Sequence, residues 1–170
     1  EVAFNALGGE RKVVHTNDPL GRVIAAEYLK LSDRSALIEM AGAGGLTLLN
    51  RREYDPLRTS TFGVGLMILD AIKSGTNPIY IGLGGSATVD GGTGAATALG
   101  IHFFDEKGGK VTNGGGLGSI QSLDLRGLRE LSYSGKIVFL TDVNNQLCGP
   151  SGAAEIFGPQ KGATPGQVRQ

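Results

Sequence analysis

Ser86, Thr88 and Asp90 occupy alternate positions of Gly82-Leu83-Gly84-Gly85-Ser86-Ala87-Thr88-Val89-Asp90-Gly91-Gly92, a glycine-dense stretch followed directly by a helix-compatible run from Thr93 to Leu99. Glycine lets backbone N–H groups come close to an anion, and the start of a helix adds a favourable dipole. Two hydroxyls and a carboxylate on such a loop point to recognition of a phosphate or carboxylate, with Asp90 in reach of a metal ion or a hydroxyl proton. The stretch is neither a Walker A loop nor Gly-x-Gly-x-x-Gly. A tight strand-to-helix turn, in which Asp90 caps the helix opening at Gly91, is the competing reading.

Two further places carry candidate chemistry. Asp142 follows an apolar strand, with Asn144 and Asn145 behind it as oxygen ligands or substrate donors. An Asx-turn that only shapes the loop explains the same residues. Lys161 stands in Gly158-Pro159-Gln160-Lys161-Gly162, a pattern that favours an anion contact over a solvated lysine. Arg58, ahead of Thr59-Ser60-Thr61, reads as a surface arginine, and the three hydroxyl residues read as helix caps. Glu39 ends a strand and either faces a cleft or pairs at the surface. His15 and His102 lie in or beside strands without ligand-spaced partners, Met40 and Met67 read as core, and Cys148 is a small thiol without an activating base.

The elements that must position these residues follow from periodicity and punctuation. Glu1 to Leu7 reads as the tail of an amphipathic helix stopped by Gly8-Gly9, which implies a true N-terminus upstream. Lys12 to His15 is a strand, Asn17 to Gly21 a turn, and Val23 to Leu31 with Ala36 to Met40 a hairpin joined by Ser32-Asp33-Arg34. Apolar spacing through Val64, Met67, Ile68, Ala71 and Ile72 gives a helix that Gly75 ends. Pro78 to Leu83 is a strand apolar enough to be central and covered on both faces. The glycine loop, the Thr93 helix and a strand from Ile101 to Phe104 then make a β-loop-α-β unit, right-handed if its strands are parallel. Asp105 to Gly109 is a turn, and Val111 to Ser119 is a mobile loop or a short helix start. Lys136 to Leu140 is a strand with Thr141 to Pro150 at its C-terminal end. If the strands point the same way, the loops holding Asp90 and Asp142 meet at one end of the sheet, where open α/β sheets collect ligands.

Length and composition bound the alternatives. The 170 residues make one domain, taken as 1–170, with enough length to bury a core. Hydrophobic content of 40% is that of a globular protein, and a formal net charge of +0 gives no electrostatic case for nucleic acid or an anionic membrane. A single cysteine excludes an intrachain disulfide. No long apolar span and no signal-peptide pattern is present, so a cytoplasmic α/β domain is expected.

The loop from Gly82 to Gly92 resembles the glycerate kinase family, bacterial class I. So do Ile38-Glu39-Met40-Ala41, Thr59-Ser60-Thr61-Phe62-Gly63-Val64-Gly65, Asp142-Val143-Asn144-Asn145, Gly149-Pro150-Ser151-Gly152-Ala153-Ala154 and Phe157-Gly158-Pro159-Gln160-Lys161-Gly162-Ala163. These motifs, in this order, span nearly the whole chain. Val89 stands where the family usually has Asn, Gly44 where Ser is frequent, Asn144 where Asp is frequent and Gln146 where Pro is frequent. The family's opening Asp-Ser-Phe-Lys-Gly-type motif, its second acidic glycine-rich motif and its final segment have no counterpart here. The resemblance therefore implies the inserted middle domain of a two-domain kinase, lacking its flanking domain and inactive by itself.

The implied fold is a mixed, largely parallel sheet flanked by helices, with a β-hairpin. The implied activity is ATP-dependent phosphorylation of a hydroxyl of D-glycerate, with Mg²⁺ held by few carboxylates. On that reading Gly84, Gly85, Ser86, Thr88, Gly91 and Gly92 cradle the anion, with Asn144, Asn145 and Lys161 as further contacts. Asp90 and Asp142 are the candidate catalytic groups and Mg²⁺ ligands. A non-catalytic anion-binding or regulatory module on the same scaffold is the alternative.

Overall fold

In a computed structural model, residues 7–147 and 149–169 are described. The helix tail expected at the start lies outside these residues except for Leu7, and Cys148 lies outside them altogether.

Alternating burial produces the first two strands, Glu10–Asn17 (β1) and Val23–Lys30 (β2), which pair antiparallel with Val14 opposite Ala26. The turn between them is fixed by the buried Asp18 carboxylate, which accepts the N–H groups of Leu20 and Arg22 at 2.9 Å each and the Arg22 guanidinium. Ala36–Glu39 (β3) then pairs antiparallel with β2, so the expected hairpin forms. Its turn is held by Asp33 Oδ1, which accepts from the Ser35 N–H at 2.9 Å and the Ser35 hydroxyl at 2.6 Å.

A single turn, Ala41–Gly44 (α1), follows, and then Phe62–Lys73 (α2), the helix that apolar spacing predicts. Val64, Met67, Ile68 and Ala71 face the sheet and form the core with Tyr28, Ile38, Ile79 and Ile81. Ile79–Gly82 (β4) lies parallel to β3. After the glycine loop, Thr93–Ala98 (α3) packs against α2, and the approach is close enough that a Cβ on Gly65 would sit 2.5 Å from the Ala95 carbonyl oxygen.

His102–Phe104 (β5) does not return to the main sheet. It is the middle of a separate antiparallel sheet between Lys110–Val111 (β6) and Ser122–Asp124 (β7). The β-loop-α-β unit expected from sequence is therefore absent. Residues 83–92 are occupied by the loop, and α3, with 6 residues, spans only about 9 Å. That is too short for a crossover along the sheet, and both neighbours of β4 are supplied elsewhere. A 3₁₀ helix at Gly114–Ser119 fills most of the stretch left as loop or helix start. Arg126–Leu131 (α4) then leads to Ile137–Leu140 (β8), which pairs parallel with β4.

The main sheet is thus mixed, in the order β1-β2-β3-β4-β8, antiparallel from β1 to β3 and parallel from β3 to β8. Two short helices, Ala153–Phe157 (α5) and Pro165–Val168 (α6), close the described chain. β4 is central as expected, but only one of its faces is fully covered. Ile79 and Ile81 are buried, whereas Tyr80 is half-buried beside Leu29 and Leu37. β8 forms one edge of the sheet and leaves Phe139 62% exposed. Among the described residues no helix is long and apolar enough to cross a membrane.

Candidate functional site

Because β3, β4 and β8 run parallel, Glu39, Gly82 and Leu140 stand side by side at their C-terminal ends. The chain segments leaving those ends gather there, as the sequence leads one to expect. A cavity of about 430 Å³ opens between them, lined by Gly84, Gly85, Ser86, Asp142, Asn145 and Lys161 among others.

The glycine loop owes its shape to a backbone bridge between Gly45 and Ser86. The Leu46 N–H donates to the Gly85 carbonyl at 3.0 Å, and the Ala87 N–H donates to the Gly44 carbonyl at 2.8 Å. These bonds use the carbonyl of Gly85 and the amide of Ala87. The N–H groups of Gly84, Gly85 and Ser86 have no acceptor among the described residues and are the donors left for an anion.

Lys161 enters the same loop from the 3₁₀ helix Pro159–Lys161, which follows α5. Its ammonium donates to the Ser86 hydroxyl at 2.8 Å and to the Thr88 carbonyl at 2.8 Å. The residue is only 8% exposed, and burial pushes its pKa below the usual lysine range, with the negative charge of Asp90 opposing that shift. An ammonium has three protons, so two protein acceptors leave one donor for a ligand. Thr88 contributes through its backbone, because its residue is itself buried.

Asp90 is 1% exposed and does not line the cavity. Its Oδ2 accepts from the Thr61 N–H at 2.7 Å, the Thr61 hydroxyl at 2.8 Å and the Gly94 N–H at 3.2 Å, and its Oδ1 accepts from the Gly92 N–H at 3.1 Å. The Thr61 hydroxyl in turn accepts from the Ala95 N–H at 2.9 Å. One carboxylate therefore ties the start of α2 to the start of α3. The fit is tight: a Cβ on Gly94 would lie 2.2 Å from the Ser60 hydroxyl and 2.8 Å from Asp90 Oδ2. Gly91 and Gly92 both have left-handed backbones, with φ of 59° and 76°, and turn the chain into α3. Two of these bonds, from the Gly92 and Gly94 N–H groups, are local to the turn into α3, and the other two come from Thr61 at the start of α2; the N-cap position of α3 is Gly92.

Asp142 and Asn145 reach the cavity, and Asn144, although exposed beside them, is not part of its wall. The Asn145 side-chain amide donates to the Ser151 carbonyl at 2.9 Å, which leaves its oxygen available. Arg58 is exposed and lines a different cavity with Asn17, Pro19 and Ser60, in keeping with a surface arginine. Thr59 and Thr61 are buried and bond across the structure, the Thr59 hydroxyl to the Ala87 carbonyl at 3.1 Å. Neither side chain caps α2, contrary to expectation; Ser60 does accept from the Phe62 N–H at 3.3 Å. Glu39 is half-buried at the same end of the sheet as the cavity. His15 is exposed on β1, His102 is half-buried on β5 opposite Asp124, and Met67 is fully buried in the core as expected.

Sequence reasoning missed Phe157 and Gln160, which complete the cavity wall, and the role of Thr61 as the partner of Asp90. The available signal for Thr61 is the density of hydroxyls ahead of α2, a pattern that local capping produces equally well. A second cavity of about 470 Å³ also went unforeseen. It lies across the same loop, against Val89, Leu117, Gly118 and Ala163.

The sequence model of the glycerate kinase family matches residues 1–170. Glycerate kinase of Halalkalibacterium halodurans is 44% identical over 168 residues, which are 98% of this chain and 44% of that protein. Glycerate 2-kinase of Escherichia coli K12 is 40% identical over 170 residues, 99% of this chain and 45% of that protein. A crystal structure from Salmonella typhimurium LT2, assigned to glycerate kinase 2, superposes with a TM-score of 0.91 at 42% identity over 97% of this chain and 45% of that one. The chain spans less than half the length of the relatives it matches.

Proposed function

This chain belongs to the glycerate kinase family, and we propose that it forms the anion-binding part of an enzyme that transfers a phosphoryl group from ATP to a hydroxyl of D-glycerate. The observation that carries this reading is the buried ammonium of Lys161 held between Ser86 and Thr88 at a cavity lined by Gly84, Gly85 and Ser86, whose N–H groups have no acceptor among the described residues. A buried cation beside unpaired donors has little structural purpose and a clear use with a carboxylate or phosphate.

Phosphoryl transfer depends on positioning and on positive charge around the developing oxyanion more than on covalent help from the protein. Lys161 and the N–H groups of Gly84, Gly85 and Ser86 supply that positive field. The Ser86 hydroxyl accepts from Lys161, which leaves its own proton to be donated. Asp90 acts as a positioning residue, a role supported by the four donors that its carboxylate accepts. A proton-abstracting or metal-binding Asp90 would first have to give up those bonds.

Asp142 is left as the carboxylate in contact with the cavity, and it takes the proton of the acceptor hydroxyl or an oxygen position on the metal. The residues fit Mg²⁺ of the kind that arrives on nucleotide phosphates, which asks for one or two protein oxygens. Asp142 and the free Asn145 oxygen meet that requirement, and among the described residues no group of three acidic, His or Cys side chains builds a full cage. Bound there, the ion would neutralise charge on the transferring phosphoryl oxygens. The flanking parts of the longer enzyme complete the site, and the reading carries a cytoplasmic location.

The test is a residue-resolved NMR titration of this chain with D-glycerate. Shifts at Ser86, Asn145 and Lys161 that vanish in Lys161→Met are expected. A flat response at all three positions, in a chain that is folded by its amide dispersion, overturns the reading.

A further inference from the structure

The second cavity lies behind the first. α5 and the glycine that follows it form a wall common to both: Ala153 and Phe157, one helical turn apart, face the anion cavity, while Ala154 and Gly158 face the other. The glycine loop is shared in the same way, with Ser86 on one side and Val89 on the other. The two cavities differ in chemistry. Both have apolar walls, but the first also carries Asp142 and Lys161, whereas the second, lined by Leu57, Val89, Leu117 and Val168, has no charged side chain among the described residues. Its size, about 470 Å³, is in the range of small-molecule sites.

The glycines on its wall separate into two kinds. Gly114 and Gly115 are required by packing, since a Cβ would lie 2.4 Å from the Pro56 carbonyl oxygen or 2.9 Å from that of Leu57. Gly118 is not. A Cβ there meets nothing within 4 Å, and its backbone is outside the left-handed region. Gly84 in the anion cavity is the same: open space and an ordinary backbone. Each cavity thus keeps one glycine that neither packing nor dihedral explains, and in each the missing side chain leaves room above the wall. Gln167 adds a polar group to the apolar side. Its Oε1 is engaged by the Thr164 N–H at 2.7 Å, so its amide nitrogen is the atom left to meet a ring acceptor.

We propose that this second cavity receives the nucleobase of the phosphoryl donor, with its phosphates reaching around the loop toward Lys161. The proposal rests on the kinase reading above, because a nucleotide-dependent reaction brings a flat heteroaromatic ring together with a polyanion. Leu57, Val89 and Leu117 contact the faces of the ring, and Gly118 sets the width of the slot.

The experiment uses this chain in amide-resolved NMR titrations with adenosine, MgATP and D-glycerate separately. Adenosine alone is expected to move the amides of Val89, Leu117, Gly118 and Ala163. Gly118→Leu should abolish that response and weaken MgATP at least tenfold, while the D-glycerate response at Ser86 persists. Should Gly118→Leu fail to fold, Gly118→Val carries the same expectation. No adenosine shift at these four positions in the unaltered chain, or MgATP affinity within twofold in the folded variant, overturns the inference. A D-glycerate response without an adenosine response removes the nucleobase site and leaves the glycerate reading standing; the reverse pattern removes the glycerate reading and leaves the nucleobase site.

Discussion

The loops that follow β4 and β8 meet at one cavity yet are built in opposite ways. Residues 83–92 are internally bound: Ala87, Thr88 and Asp90 are buried, and Asp90 alone accepts four hydrogen bonds. Residues 141–147 are exposed throughout, and their described side-chain bonds are local, from Thr141 to Val143 and from Asn145 to Ser151. On the proposed function, the first loop is a preformed mould for an anion. The second holds its carboxylate on an exposed segment whose side-chain bonds are local. On that reading the many-bonded loop meets charge in a fixed geometry, and the exposed loop borders the way in for the reacting partners.

The largest expected effect tests that contrast directly. Asp90→Ala strips a buried carboxylate from the Thr61 and Gly94 N–H groups and should lower stability by roughly 3–5 kcal/mol, read from urea unfolding. Asp142→Ala, on the exposed loop, should change stability by less than about 0.5 kcal/mol. Comparable losses in the two variants would abolish the distinction.

Next in size, Lys161→Met should weaken D-glycerate binding about tenfold or more by isothermal titration, in line with loss of a charge-assisted contact, while the chain still folds. The ammonium is the binding form, and burial has moved its pKa below the usual lysine range. D-glycerate affinity should therefore fall as pH rises through that lowered value, earlier than an exposed lysine would allow. Affinity that stays flat to the pH at which ordinary lysines titrate would remove Lys161 from the anion site.

A smaller effect is expected at Asp142→Asn. Binding of D-glycerate should be nearly unchanged, and the Mg²⁺ dependence of ATP binding should weaken. An unaltered Mg²⁺ requirement would leave Asp142 as a loop residue. The smallest effect lies away from both loops, where the Arg126 guanidinium holds the Asp124 carboxyl at about 2. A carboxyl held low contributes stability above its unfolded value near 3.9 that is lost as pH falls toward 2. Arg126→Ala removes the guanidinium and keeps the backbone N–H that also bonds Asp124, so it should lower Tm slightly at neutral pH and lessen the fall between pH 4 and pH 2, with the two chains converging near pH 2.

Local signals made much of the fold legible. Alternation marked β1 and β2, Asp33 and Arg34 marked the hairpin turn, and apolar spacing bounded α2 within a residue or two. β5 was misplaced because a three-residue strand carries the same local pattern in either sheet. Only the shortness of α3 and the competition for the edge of β4 decide where it pairs. At the site, the motif drew attention to the right loop but not to how each residue serves it. Asp90 finds Thr61 29 positions back, and Lys161 finds Ser86 75 positions back. No periodicity or spacing rule encodes such long-range pairings, and a hydroxyl ahead of a helix resembles a cap whether or not it acts as one.

The two edges of the main sheet carry unequal protection. β1 opens with Glu10, Arg11 and Lys12, charges that discourage another strand from adding to it. β8 presents Phe139 and Leu140 with its outer backbone groups, and Val143 and Leu147 extend the apolar character just beyond. Prepared by itself, this chain should be colloidally sticky in a directional way. Self-association should begin at β8, grow with protein concentration, and be suppressed by Phe139→Lys more than by any change in salt.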